Sequence, residues 1–388
     1  MKNICNILAS FVVCMACLAP LALANDNAWH KIALDKTHIV SMASDPVRPS
    51  TLYAATSLGL MKSVDGGANW SDLGRDILPK DIPPSSVAVN PHNSRELYAG
   101  FDGRGIFKSG DGGATWAAIN QGLPNLYVRC IVISPKDPNL IYIGIQNGVA
   151  ISTNAGKLWH MSSGFRRAVN VNAIAIDPKS PQFLFAATGG AGVYKSGNGG
   201  VSWKDINEGL SSLSILDLHI DPENPDIVLA GAYHPATPTD LYVGEASGGV
   251  YRTTNGGISW HETSLLNITI FSFAQSLDYP GEVYVGAWGG AYRSSDKGET
   301  WADINAGLDN AFLHKVLLMP GKPPFILGGT TFGLLSYTDT SIALARQKEE
   351  GLPASVWYGL GAAAAAALVL VLARRKKRGR DKDKEPVW

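Results

Sequence analysis

The sequence predicts an all-β fold, a seven-bladed β-propeller closed by its own N-terminal strand and followed by a C-terminal transmembrane helix. Three observations carry that prediction. An eight-residue hairpin recurs six times, its copies sit at near-constant spacing, and an orphan strand before the repeats matches a blade after them that lacks its fourth strand.

The hairpin reads Ser63-Val-Asp65-Gly66-Gly67-Ala-Asn-Trp70 in its first copy and Ser109-Gly-Asp111-Gly112-Gly113-Ala-Thr-Trp116 in its second. It returns around Asn154 and Trp159, Asn198 and Trp203, Asn255 and Trp260, and Asp296 and Trp301. The tryptophans are 46, 43, 44, 57 and 41 residues apart. The residue types suit a tight turn: Asp or Asn bonds to backbone amides two residues on, and glycine supplies positive φ. Tryptophan then folds over the turn and buries a large apolar area.

Each period also holds four short strands. In the fourth, Ala173–Ile176 runs into an Asp177-Pro178 turn, and Phe183–Ala187, Gly192–Ser196 and Trp203–Ile206 follow. Four antiparallel strands in roughly 43 residues is the content of one blade. Residues 313–338 supply three further strands with no hairpin copy and no fourth strand. Ala28–Ile32 reads like an orphan fourth strand, so pairing the two ends closes the ring and removes both free edges.

Forty-two glycines and 22 prolines with only 17% charged residues fit many short strands and turns, and argue against a helical bundle. The zero net charge hides an asymmetry. Residues 374–388 hold eight Lys/Arg against three Asp/Glu, whereas 25–373 hold 24 against 30. A mildly acidic body excludes bulk-electrostatic nucleic-acid binding.

Residues 1–24 have the apolar run and the Ala22-Leu23-Ala24 ending of a signal peptide; a lipoprotein reading with Cys17 acylated is the weaker alternative. Residues 25–342 form the predicted ectodomain and 343–351 a linker. The 22 uncharged residues 352–373 are long enough for a transmembrane helix, and the basic tail 374–388 places that end in the cytoplasm. A processed sorting tail at Leu352-Pro353-Ala354-Ser355 is the alternative. The expected location is therefore the inner membrane, single-pass, with the propeller on the periplasmic or extracellular side. Cys130 alone remains after leader removal, in an apolar run that marks it as a small core residue.

The octets resemble the Asp-box, or bacterial neuraminidase, repeat across nearly the whole ectodomain. That resemblance implies blade architecture with the boxes on the periphery, and it says little about activity. Sialidases need an arginine triad, a Tyr/Glu pair and an acid, and a Phe/Tyr-Arg-Ile-Pro segment usually precedes their first box. Here the corresponding stretch is Val47-Arg48-Pro49-Ser50. Xyloglucanase-type propellers carry the same boxes but pair two rings around a cleft. A single ring behind a signal peptide most resembles the photosystem II assembly/stability factor family, whose members are non-catalytic and bind partly through arginines; the C-terminal anchor and basic tail depart from it.

The predicted function is accordingly a non-catalytic binding, scaffold or assembly factor for a membrane protein or its exposed tail, with a sialidase-like or other glycoside hydrolase as the alternative and a glycan as a second partner class. No cofactor or metal is expected, because the histidines are scattered and lack i,i+4 pairs. Box hairpins and Asp-Pro turns belong to one rim, so recognition is expected on the opposite face, on second-to-third-strand loops and blade links. The candidate binding residues there are Arg104, Arg129, Arg166, Arg167, Tyr233, His234 and Trp288, the arginines suiting a carboxylate or acidic tail.

Overall fold

The computed structural model describes residues 27–342 apart from 75–76, 166–168, 236–247 and 310–311. The leader, the linker, the proposed membrane helix and the basic tail lie outside these residues, as do Arg166 and Arg167. Among the described residues no helix is long and apolar enough to cross a membrane.

Seven four-stranded antiparallel sheets run from His30 to Thr338. Blades 1 to 6 each use four consecutive strands. Blade 7 uses Leu313–Met319, Phe325–Thr330 and Gly333–Thr338, with His30–Ala33 as its outer strand. His30 pairs with Ser336 and Lys31 with Leu335, so the predicted closure is formed. The first strands of successive blades contact one another in an unbroken cycle, which makes them the lining of a central channel.

Trp29 shows why the closing strand belongs there. Its backbone N–H donates to Ala306 O at 2.8 Å and its indole to Ile304 O at 2.8 Å. Trp159 and Trp260 do the same one blade back, with indole bonds to Ile119 O at 2.6 Å and Ile206 O at 2.7 Å. Trp29 therefore fills the slot of a hairpin tryptophan although no hairpin precedes it.

Second strands such as Leu52–Thr56 and Ile141–Ile145 are buried throughout, because neighbouring blades cover both faces. Each third strand opens on a glycine at positive φ, such as Gly59 at 119° and Gly333 at 136°. Six residues later stands the box Asp or Asn. In blade 7 the same offset reaches Asp339, which accepts from Tyr284 Oη at 2.9 Å and pairs with Arg293 Nε at 3.2 Å. The seventh blade keeps the position but turns the carboxylate toward blade 6.

Each of the six hairpins is a small hydrogen-bonded cage. In the first, Gly67 N–H donates to Ser63 Oγ at 2.9 Å, Ser63 Oγ donates to Asp65 Oδ1 at 2.8 Å and Asn69 N–H donates to the same oxygen at 2.9 Å. The Asn copies repeat it, as Ser152, Asn154 and Gly156 show. The first-glycine carbonyl also receives the preceding blade: Lys195 Nζ reaches Gly256 O at 2.7 Å, Tyr142 Oη reaches Gly199 O at 3.0 Å and Arg252 Nε reaches Lys297 O at 3.1 Å.

Candidate functional site

The box hairpins and the first-to-second-strand turns do share a rim. Gly66 N–H donates to Ser50 O and Gly199 N–H to Gln182 O, joining the two kinds of turn within a blade. Acids on this rim are absorbed by the fold. Buried Asp45 accepts from the amides of Val47 at 2.9 Å and Arg48 at 3.2 Å, and Asp221 accepts from Glu223 and Asn224, both at 2.8 Å. Hydrogen bonds from Thr115, then from Ser109, hold the Asp111 carboxyl well below the usual range. For Asp65 burial acts the other way, but the bonds from Asn69 and Ser63 outweigh it. Every carboxylate whose acidity is displaced among the described residues is displaced toward the ionised form.

The opposite rim is built from second-to-third-strand turns tied to the links that enter each blade. Gly103 N–H donates to Leu126 O, Ser57 N–H to His38 O and Trp288 N–H to Thr269 O. At this end every first strand carries a one-residue bulge. The bulged residues are Val40, Ser85, Arg129, Asn172, Leu216, Phe271 and His314, one per blade. A bulge leaves its residue out of the ladder and re-aims the side chain, so these seven ring the channel mouth. Neighbours touch around it: Ser85 Oγ donates to Val128 O at 2.5 Å, Asn172 Nδ2 to Ile215 O at 2.8 Å, and the Phe271 and His314 rings lie 4.9 Å apart.

The ring is two-sided. Blades 2 to 4 contribute Ser85, Arg129 and Asn172, a polar arc with one exposed cation. Blades 5, 6, 7 and 1 contribute Leu216, Phe271, His314 and Val40. Beyond this second arc the aromatic surface continues, with His38 at 4.5 Å from His314 and Trp288 stacked edge-on against Phe312 at 4.6 Å. Trp288 is 45% exposed, and Phe332 and Leu58 project from the adjoining turns at 61% and 58%. Burial, and after it the neighbouring His38, lowers the His314 imidazole to about 4; burial also lowers His38. Both rings are therefore neutral at pH 7. His314 Nε2 lies 2.9 Å from Thr331 Oγ1. A pocket of about 360 Å³ adjoins the arc through Ser57 and Leu58, and its walls include Leu78, Ile82 and Phe101.

The sequence-predicted residues divide between these arcs. Arg129 stands in the mouth ring. Arg104, in a blade-2 turn, is ion-paired with Asp81 of the adjoining link. His234 and Trp288 are brought together through Thr269: His234 N–H donates to its Oγ1 at 3.0 Å, while Trp288 N–H donates to its carbonyl at 2.9 Å. Tyr233 is tied to Ser214 O. Phe271, Phe312, His314 and His38 were not singled out from sequence, because the bulge that places Phe271 and His314 at the second position of their strands carries no residue mark. Cys130 follows Arg129 within the first strand of blade 3, and burial pushes its thiol up to about 12. No three His, Cys, Asp or Glu side chains gather as a metal site among the described residues.

No family model matches the chain. Xyloglucanase Xgh74A of Acetivibrio thermocellus is 27% identical over 204 residues, covering 45% of this chain and 24% of the enzyme. The chain thus spans about a quarter of the length of the curated relatives it matches. Among solved structures, an ancestral GH74 enzyme superposes with a TM-score of 0.63 at 21% identity, over 79% of this chain and 45% of that one. YCF48 bound to a D1 peptide gives 0.60 at 20%, over 81% and 96%. The extracellular domain of a putative one component system from B. thetaiotaomicron gives 0.62 at 14%, over 81% and 40%. The likeness is one of fold. A seven-bladed propeller has neighbours among both glycan-cleaving enzymes and YCF48, so function rests on the site.

Proposed function

We propose that the chain is a non-catalytic, membrane-anchored extracytoplasmic propeller that acts as a binding or assembly factor for a membrane protein or complex. It grips an exposed segment of that partner on the loop rim. The observation that carries this reading is the two-sided mouth ring: a fixed scaffold presents a cationic arc and an aromatic arc at one opening, which is recognition chemistry. Two facts support it. The hairpin-rim carboxylates are taken up in their own cages, which leaves the loop rim as the face open to a partner. The fold also matches nearly the full length of the YCF48 structure bound to a D1 peptide, but less than half of the GH74 chain.

In this proposal residues 1–24 direct export, 352–373 anchor the chain and 374–388 remain in the cytoplasm. The tether would keep the propeller beside membrane-borne clients. The six box hairpins would serve as architecture only, the role implied by their likeness to the Asp-box repeat. The GH74 likeness favours a second reading, glycan binding or cleavage on the same rim.

Crosslinking the full chain in native membranes, followed by purification and peptide sequencing, tests the proposal. A membrane protein joined through its exposed segment is the expected product, and charge reversal Arg129→Glu lowers its yield. Hydrolysis of xyloglucan or an aryl-glycoside by the purified full chain, abolished by neutralising one loop-rim acid, would favour the enzyme.

A further inference from the structure

The mouth ring separates charge from apolar surface by blade. On the aromatic side the polar partners are neutral. Thr331 Oγ1 serves His314, Ser57 Oγ accepts from the His38 amide at 3.1 Å, and the Thr269 carbonyl accepts from the Trp288 amide. His38 Nε2 is buried without a partner among the described residues. A charged group brought here would trade water for aromatic rings, neutral imidazoles and hydroxyls already in use, a desolvation that nothing in the arc offsets. A sugar would fare little better, because its hydroxyls need donors and acceptors around the stacking ring, and those of the arc are in use, as Thr331 Oγ1 and Ser57 Oγ are, or buried, as His38 Nε2 is. An apolar side chain loses nothing on entry and gains contact with several rings at once.

We infer that the aromatic arc formed by Trp288, Phe312, Phe271, His314, His38 and Val40 is a docking subsite for a large apolar side chain within an uncharged stretch of a partner polypeptide. The inference rests on the loop-rim binding reading and adds the chemistry of the partner. Three features make the arc suitable. It is preorganised, because its backbone is fixed by bulges and by turn-to-link bonds rather than by free loops. It is accessible, since Trp288, Phe332 and Leu58 project beside it. It is also continuous with the pocket between blades 1 and 2, which could take a following residue of the same segment. The cationic arc at Arg129, on the far side of the mouth, then sets the direction in which the segment lies: its charged part toward blades 2 to 4, its apolar part toward blades 6, 7 and 1.

Photocrosslinking in the full chain separates this inference from the reading beneath it. A benzophenone side chain at Tyr127, beside the polar arc, reports loop-rim binding as a whole; one at Trp288 reports the arc. The expected result is capture from both positions, with the Trp288 adduct mapping to a Leu, Ile, Met or aromatic residue in an uncharged stretch. The pair Trp288→Ala and Phe332→Ala, both at exposed positions, should cut capture from Tyr127 about ten-fold while lowering Tm by no more than about 3 °C, and Trp288→Phe should recover most of the capture. Undiminished capture from Tyr127 in the double variant, or a Trp288 adduct in a charged stretch, overturns the subsite while the binding reading stands. Capture from neither position overturns both. Retention of the full chain on immobilised xyloglucan, lost in Trp288→Ala, overturns the inference in favour of a glycan.

Discussion

The two rims of this propeller are made from the same strands and differ in almost everything else. On the hairpin rim the sequence repeats, the polar groups bond to one another within a few residues, and several cages hand their first carbonyl to the preceding blade. On the loop rim the backbone repeats but the side chains do not. The same bulge presents Val, Ser, Arg, Asn, Leu, Phe and His in turn. Repetition of side chains therefore marks what the fold needs, and repetition of backbone with varied side chains marks what the fold leaves available for recognition.

The sharpest way to break that contrast is to remove one tryptophan from each rim. Trp159 is buried among Val128, Ile141 and Ile145, and its indole bonds across the blade boundary. Trp159→Ala should cost about 3–5 kcal/mol in a denaturant titration, the range for deleting a buried aromatic. Trp288→Ala should cost less than about 1 kcal/mol and remove binding instead. A loop-rim loss as large as the hairpin-rim loss would show that the arc is core.

Blade 7 permits a second cut, because it retains the box carboxylate without the box. Asp339 is fully buried and joins Tyr284 and Arg293 of blade 6. Asp339→Asn keeps the volume and an acceptor for Tyr284 but removes the charge facing Arg293. Glu282 still grips that guanidinium at 2.6 and 2.9 Å, which limits the damage. The expected loss is roughly 1–3 kcal/mol. By contrast Asp65→Asn, in a cage that accepts Asn in three other copies, should change stability by less than about 0.5 kcal/mol.

Acid should act on the two rims in the same sense but in different pH windows. His314 titrates at about 4 in the fold against an ordinary 6.5, so the unfolded chain binds the extra proton between those values. Its contribution is complete above pH 6.5 and is lost as the pH falls toward 4. Allowing for partial solvent access, that loss is roughly 1–2 kcal/mol. Half-buried His219, also lowered by desolvation, adds in the same direction. Hairpin carboxylates such as Asp65 and Asp296 are held below their ordinary values and lose their contribution only at lower pH. Melting curves from pH 7 to 4 should therefore flatten in His314→Phe, while Asp111→Asn leaves that window unchanged.

Most of the fold was legible because its signals are local. Eight residues define a hairpin, and a constant period defines a blade. The orphan strand at Trp29 was readable by likeness to Trp301. The Asp339 remnant was readable too, since the six-residue step from Gly333 is the step from Gly59 to Asp65, but the missing glycines and tryptophan concealed it. The aromatic arc was far less accessible. Its members are as distant as His38 and His314, and they meet only because the ring closes. The bulge that aims them leaves no residue signature, being one extra residue in a run that still reads as a strand. Trp288 was visible as a loop residue, and its partners were not.

The smallest effect tests whether the hairpin cages are already optimal. In the third box Ala155 replaces the first glycine and adopts φ 58°, a left-handed conformation that costs a residue bearing Cβ about 1 kcal/mol. Ala155→Gly relieves that strain but gives the unfolded chain more freedom, so the net gain should be only about 0.5 kcal/mol, or roughly 1–2 °C in Tm. The next position offers no such latitude. A Cβ on Gly156, at φ 87°, would stand 2.4 Å from the Ile119 Cδ1 atom and beside the Trp159 ring. Gly156→Ala should therefore destabilise while its neighbour's change stabilises. The two adjacent substitutions, read in one melting experiment, distinguish a cage limited by backbone conformation from one limited by packing against the preceding blade.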